Sequence, residues 1–386
     1  MEISVSKKEN LLGAILLVAG CCIGAGMIGL PVLSAAAGFL PSCAAMVFSY
    51  GFTTVTGLLL LEAALWFDKQ VNLFSIAQFA LGRVGKVLTG GLFLFLFYCI
   101  FVAYMDGGGQ LFAEVLSRVF GVPVSRELGI LACAGVVGAI TYAGTRVVDN
   151  VNRGLMLGLV ASYVCLVILG LPHGNLTNLT HTNWKSSLAT IPLLLVCFGY
   201  QNLVPSLVHY LNRNVRALRL AIMVGNCLPL MCYFVWNFVI LGLLPAGTAG
   251  SGEMVAQMLE TTTQVSSVVF FVKAFSLFAL VTSFLAIGIS FIDFLKDGFP
   301  GKSRLVYLGL VIVPPMVFSL FYPNIFLKAL GLAGGFADVL LFGILPPVVV
   351  WIGRYVKKAQ SSYQVPGGKL LLAGVFLLSL GFLILR

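Results

Sequence analysis

Gly24-Ala25-Gly26-Met27-Ile28-Gly29-Leu30-Pro31 interrupts a frame that would otherwise run as one apolar helix from about Leu11 to Leu40. Glycine costs about 1 kcal/mol and proline about 3 kcal/mol inside a helix, yet hydrophobic sequence continues on both sides. In hydrocarbon, unwound backbone is admitted only where it is buried in protein or lines a watery cavity. A break at membrane depth is therefore a candidate binding site, because it offers free N–H and C=O groups to a solute. The device recurs in Phe198-Gly199-Tyr200-Gln201-Asn202-Leu203-Val204-Pro205, whose proline lies 174 positions after Pro31. Two broken helices at corresponding places in two halves point to a secondary transporter.

Working outward, 60% of the 386 residues are hydrophobic and only 9% are charged. Soluble domains carry about 25% charged residues, so the composition is that of an integral membrane protein. The apolar runs are long and do not alternate, which excludes a barrel of strands and leaves helices of about 20 residues each. Eleven spans follow, near 11–39, 42–66, 87–117, 128–145, 152–171, 187–210, 218–244, 267–295, 304–322, 326–353 and 369–385. Gly331, Gly334, Gly335 and Pro346-Pro347 punctuate the tenth.

With the N-terminus in the cytoplasm, seventeen Lys and Arg fall on that side and five on the other, which selects this orientation. The net charge of +10 is then a set of anchors facing anionic lipid. No basic patch interleaved with aromatics argues for nucleic acid. The first apolar run is too long for a signal-peptide core and lacks a cleavage pattern, so no cleaved leader is expected. All nine cysteines sit in apolar spans without metal-ligand spacing and read as core packing; no metal or cofactor is expected.

The longest polar connections, around 66–86, 171–187 and 245–266, are too short to fold alone, so 1–386 reads as one transmembrane domain. The last of them is long enough for a short helix over an outer cavity. Spans 1–5 (about 11–171) and 6–10 (about 187–353) form two five-helix halves. Because five is odd they have opposite topology, an inverted repeat with span 11 (about 369–385) appended.

The Gly24–Pro31 break, Tyr104-Met105-Asp106-Gly107-Gly108-Gly109, the run Phe198 to Leu211 and the hydroxyl-bearing eighth span together resemble the aromatic amino acid permeases. These are bacterial tyrosine- and tryptophan-specific carriers of the amino acid–polyamine–cation superfamily. The resemblance covers essentially the whole chain. It implies the five-plus-five fold of the bacterial leucine transporter, in the inner membrane, and uptake of an aromatic amino acid driven by a cation gradient.

The breaks suit an amino acid zwitterion. Span 1 runs outward, so its outer half begins at the break with free N–H groups near Gly24, Ala25 and Gly26, adjoining Met27, and these suit a carboxylate. Span 6 runs inward, so its outer half ends at the break, where the carbonyls of Cys197, Phe198 and Gly199 suit an ammonium. Tyr104, Met105, Phe198, Tyr200 and Phe278 are candidates to line a slot for the ring. Gln201 and Asn202 are candidates to hydrogen-bond a phenol or indole, since amides at membrane depth need a partner. The family often has a histidine where this chain has Gln201.

Two coupling ions remain open. Thr282 and Ser283 sit mid-span, and in the resembled fold the backbone of Gly20 and Ile23 faces them, a hard-oxygen set that suits sodium. Related proton-coupled carriers have a lysine there on the fifth span, and this chain has none. The resemblance itself implies a proton, and Glu62 and Asp106 are intramembrane carboxylates able to carry one. Lys273 is a candidate partner for Asp106. Asp293, near the cytoplasmic end, reads as a solvated charge. No GxSxG or HExxH occurs and no repeated filter loops appear, so enzyme and channel are disfavoured; a non-transporting receptor would not need paired breaks.

Overall fold

A computed structural model of the protein describes residues 10–69, 71–245, 259–260 and 265–384. Among the described residues the chain is helical without strands. Nine helices are long and apolar enough to cross a membrane, and Leu11–Cys22 with Gly26–Ala37, bent by 57°, makes a tenth, broken span. Gly368–Ile384 is a shorter apolar helix that follows them.

Span 1 stops because Ile23 turns to extended backbone (φ −78°, ψ 99°) and the helix restarts at Gly26. Pro31 lies inside that second half and brings no N–H for the Met27 carbonyl one turn earlier. The Trp236 indole of span 7 (Val215–Leu243) supplies the missing donor at 3.1 Å. An otherwise orphaned carbonyl in apolar surroundings is thereby satisfied. Gly38, at φ +90°, turns the chain into span 2 (Phe39–Ala64) with its α-carbon face against the His181 carbonyl, where a Cβ would collide.

Span 3 extends further back than the apolar frame implied. Helix covers Leu73–Phe120, with non-helical backbone at Gly82 (φ 69°, ψ −156°). The connection around 66–86 thus contains a helix of its own, capped by Asn72, which accepts from Ser75 N at 2.9 Å. Its buried Leu73, Ile76 and Ala77 make one face too short for a span-length window to detect. The tenth span, Phe326–Val356, is continuous despite its glycines and prolines. It accommodates them by loosening into a π-helix over Ala333–Ile344. The connection 245–266, long enough for a short helix or a plain linker, lies outside the described residues over 246–258 and 261–264; Leu259 and Glu260 within it are helical.

Span 5 (Thr145–Gly170) packs along span 8 (Ser266–Gly298), and the π-helical stretch of span 10 packs along span 3. Likewise span 1 lies on span 7, and the two halves of span 6 (Ile191–Cys197 and Val204–Tyr210) lie on span 2.

Candidate functional site between two broken helices

The two breaks meet. Tyr233 of span 7 places one hydroxyl between them, 2.7 Å from Cys22 O and 3.0 Å from Cys197 O. The backbones approach so closely that a Cβ on Gly26 would lie 2.8 Å from Cys197 Sγ. Ala25 N donates to Ser283 Oγ at 3.2 Å, tying the first break to span 8. Among the described residues no acceptor is paired with the N–H of Gly24 or Gly26, so the start of the second half-helix of span 1 presents unspent donors.

A cavity of about 460 Å³ opens at this point. The breaks contribute Gly20, Cys21, Cys22, Ile23, Gly24, Ala25, Gly26, Cys197, Gly199 and Asn202. Thr282 and Ser283 line it from span 8, and Phe93, Phe97, Ile100 and Tyr104 from span 3. Asp338 and Phe342 enter from the π-helix. The cavity continues past Leu16, Leu17, Asn152, Met156 and Ser290, all in the helix halves nearest the N-terminal side of the bundle. On the other side Met27, Phe198, Trp236 and Phe275 are fully buried. The space is thus open toward one end and plugged by aromatic packing toward the other. Its ring-bearing wall is ordered, with Phe93 edge-on to Phe342 at 6.0 Å and Phe97 stacked on Phe291 at 4.8 Å.

The structure gathers Gly20, Ile23, Gly24, Ala25, Gly26, Tyr104, Cys197, Gly199, Asn202, Thr282 and Ser283 around this space and puts the other candidates elsewhere. Met27, Met105 and Phe198 are buried in packing. Tyr200 turns to span 2, its hydroxyl donating to Thr53 O at 3.0 Å. Gln201 also faces span 2, with Nε2 3.4 Å from Thr56 Oγ1. Phe278 lies against Gly158 of span 5. The Tyr200 phenol and the Gln201 amide nitrogen thus have protein partners, while Gln201 Oε1 is buried without one.

Two candidate coupling carboxylates are bound to arginine. Asp106 accepts from Arg126 at 3.1 and 2.6 Å and from Phe326 N at 2.9 Å. Glu62 accepts from Arg354 at 2.6 and 2.5 Å and from Val365 N at 2.8 Å. Neither lines the cavity. Lys273 does not meet Asp106; it pairs with Glu114 and Glu260. Asp293 pairs on the surface with Lys296 at 2.9 Å. The residue overlooked in sequence is Asp338, an acid in the middle of an apolar frame, and that alone marks a candidate. Phe93, Phe97 and Phe342 carried no such signal among 30 phenylalanines.

An integral membrane protein in which two broken helices meet around a half-open cavity has the architecture of a secondary transporter. The tryptophan/tyrosine permease family matches residues 7–385. A tyrosine-specific transport system of Haemophilus influenzae is 33% identical, covering 97% of this chain and 96% of that one. A tryptophan-specific transport protein of the same organism is 28% identical over 96% and 94%. A glutamine transporter of Aliivibrio fischeri is 27% identical over 97% and 98%. The chain belongs to the tryptophan/tyrosine permease family, whose members are transport proteins and not enzymes.

Proposed function

We propose that the protein is a cation symporter that imports an aromatic amino acid, tyrosine favoured, across a bacterial inner membrane. The observation that carries this reading is the meeting of two unwound stretches at one cavity beside a wall of phenylalanines. The free N–H groups at Gly24 and Gly26 suit the carboxylate, the carbonyls after Cys197 the ammonium, and Phe93, Phe97 and Phe342 the ring. The tyrosine-specific relative at 33% identity supports tyrosine over tryptophan. The paired packing of spans 5 on 8 and 10 on 3, and of 1 on 7 and 6 on 2, supports the inverted repeat within a single transmembrane domain. The bias of Lys and Arg supports a cytoplasmic N-terminus. The cavity then faces the cytoplasm and represents the inward-open state of an alternating-access cycle.

Counterflow in proteoliposomes tests the reading. Vesicles loaded with unlabelled L-tyrosine should draw in labelled L-tyrosine, with tryptophan and phenylalanine competing. Exchange of glutamine in place of any aromatic amino acid would overturn the aromatic assignment, and absence of exchange with a full amino acid panel would overturn the carrier.

The coupling ion is read as a proton. Sodium is the second reading, because Thr282, Ser283 and the backbone of Gly20 and Ile23 share the cavity wall. Uptake that requires sodium, ignores a proton uncoupler at fixed membrane potential and collapses in Ser283→Ala would establish sodium.

A further inference from the structure

Among the described residues three carboxylates lie deep in the bundle, and two are accounted for. Glu62 and Asp106 each hold an arginine and a backbone N–H. Asp338 is only 5% exposed, and among the described residues it has neither a hydrogen-bond donor nor a cationic partner. An unpaired charge in such surroundings is costly. A side chain of this kind at the wall of a cavity is therefore placed for a ligand, not for packing.

The local backbone explains its position. Gly334 packs so tightly on span 6 that a Cβ there would collide with the Pro192 carbonyl and lie 2.9 Å from Val196 Cγ2. About one turn later the chain reaches Asp338, which lines the same cavity as Cys197 at the end of that half-helix. The stretch is π-helical, a rare geometry found mostly at functional sites. The titratable groups near it are Cys197 from span 6, Tyr104 from span 3, and Cys21 and Cys22 from span 1. Span 11 and span 2 present Ser379 and Phe52 to this helix. Among the described residues no Lys, Arg, His or Glu lines the cavity.

We propose that Asp338 is the group that carries the coupled proton, an inference that rests on the amino acid symport reading above. Proton binding converts the carboxylate and a hydronium ion into a carboxylic acid and water, and release to cavity water on the cytoplasmic side is the reverse. A proton suits the site because it needs one acceptor and no ligand shell, and binding it removes the buried charge. The substrate zwitterion can then enter without facing an unpaired anion. The ammonium has the Gly199 carbonyl available, since that oxygen accepts only from Cys21 Sγ at 3.7 Å.

The test compares wild type, Asp338→Asn and Asp338→Glu in proteoliposomes with L-tyrosine. Asp338→Asn should lose accumulation driven by an imposed pH gradient, and lose alkalinisation of a weakly buffered outer medium, while keeping L-tyrosine counterflow. Asp338→Glu should restore part of both coupled signals. Loss of counterflow together with accumulation in Asp338→Asn would make the residue a substrate ligand or a structural one and overturn the proposal, as would retained proton-driven accumulation. A wild type that exchanges L-tyrosine without moving protons overturns proton coupling and the role of Asp338 together. A wild type that does not exchange L-tyrosine overturns the substrate reading instead. Infrared difference spectra between acid and alkaline pH then decide Asp338 without transport: a carboxylic acid C=O band that vanishes in Asp338→Asn is expected, and identical spectra overturn the assignment.

Discussion

Removing the Tyr233 hydroxyl should weaken substrate binding far more than loss of another tyrosine hydroxyl bonded to span 7. That hydroxyl lies 2.7 Å from Cys22 O and 3.0 Å from Cys197 O, so it holds the ends of both inner and outer half-helices at a fixed separation. It has one proton for two acceptors, and the phenylalanine variant leaves both carbonyls without it beside a fully buried ring. A buried group left unsatisfied costs about 1–3 kcal/mol. If the strut sets the spacing that the substrate needs, most of this cost appears in affinity, roughly a five- to 100-fold rise in Kd at 1.4 kcal/mol per tenfold. Tyr163→Phe is the control, because that hydroxyl donates at 2.9 Å to Cys232 O, also on span 7 but at neither break. Binding of labelled L-tyrosine to purified protein, alongside the melting temperature, separates the two effects. Tyr163→Phe should lose stability with affinity nearly unchanged, whereas Tyr233→Phe should lose both. Equal affinities in the two variants would refute the idea that Tyr233 positions the breaks.

Gly26→Leu should abolish transport with membrane insertion intact, because even a Cβ would lie 2.8 Å from Cys197 Sγ and overpacking costs about 1–3 kcal/mol before the rest of the side chain is placed; normal uptake by a normally expressed variant would remove the breaks from the site. Aromatic amino acids should compete for uptake and arginine and glutamate should not, since with Asp338 protonated the described lining residues carry no charge to offset a second cation or a second anion; arginine as best competitor in an uptake assay would end this view. Asp106→Asn should lower the melting temperature strongly, with breakage of a buried ion pair costing about 3–5 kcal/mol, yet leave proton coupling in place in whatever protein survives; uncoupled exchange from a stable variant would return Asp106 to the transport cycle.

The breaks were legible because glycine and proline act on the backbone wherever the helix happens to face. Rotation about the helix axis was not legible, and it decided the rest. Gln201 and Asn202 are neighbours, yet Asn202 lines the cavity and Gln201 turns to Thr56 on span 2. A polar amide in an apolar frame announces that it needs a partner, and nothing in a single sequence says whether that partner is a solute or another helix. The same holds for the acids. The arginines that hold Asp106 and Glu62 are 20 and 292 positions away, and both stand near span ends, where arginine is expected as an interfacial anchor.

Sorted by partner, the buried acids divide the bundle into parts that hold and a part that can change. Asp106 joins span 3 to span 4 and to the first residue of span 10, with Arg126 also reaching Ser319 O of span 9 at 2.6 Å. Glu62 joins span 2 to span 10 and to the segment before span 11, through Arg354 and Val365 N. These pairs are costly to break once formed, so each end of span 10 is bolted to the helices around it. Between the bolts lies its π-helical stretch, with wider turns, an acid without a partner and a cavity on one side. Span 1, by contrast, is interrupted outright and tied across the break by single hydrogen bonds from Tyr233 and to Ser283. The backbone of Gly24 and Gly26 and the Asp338 carboxyl line one cavity, so a substrate held by the first, as proposed, sits in the same space as the proton carried by the second.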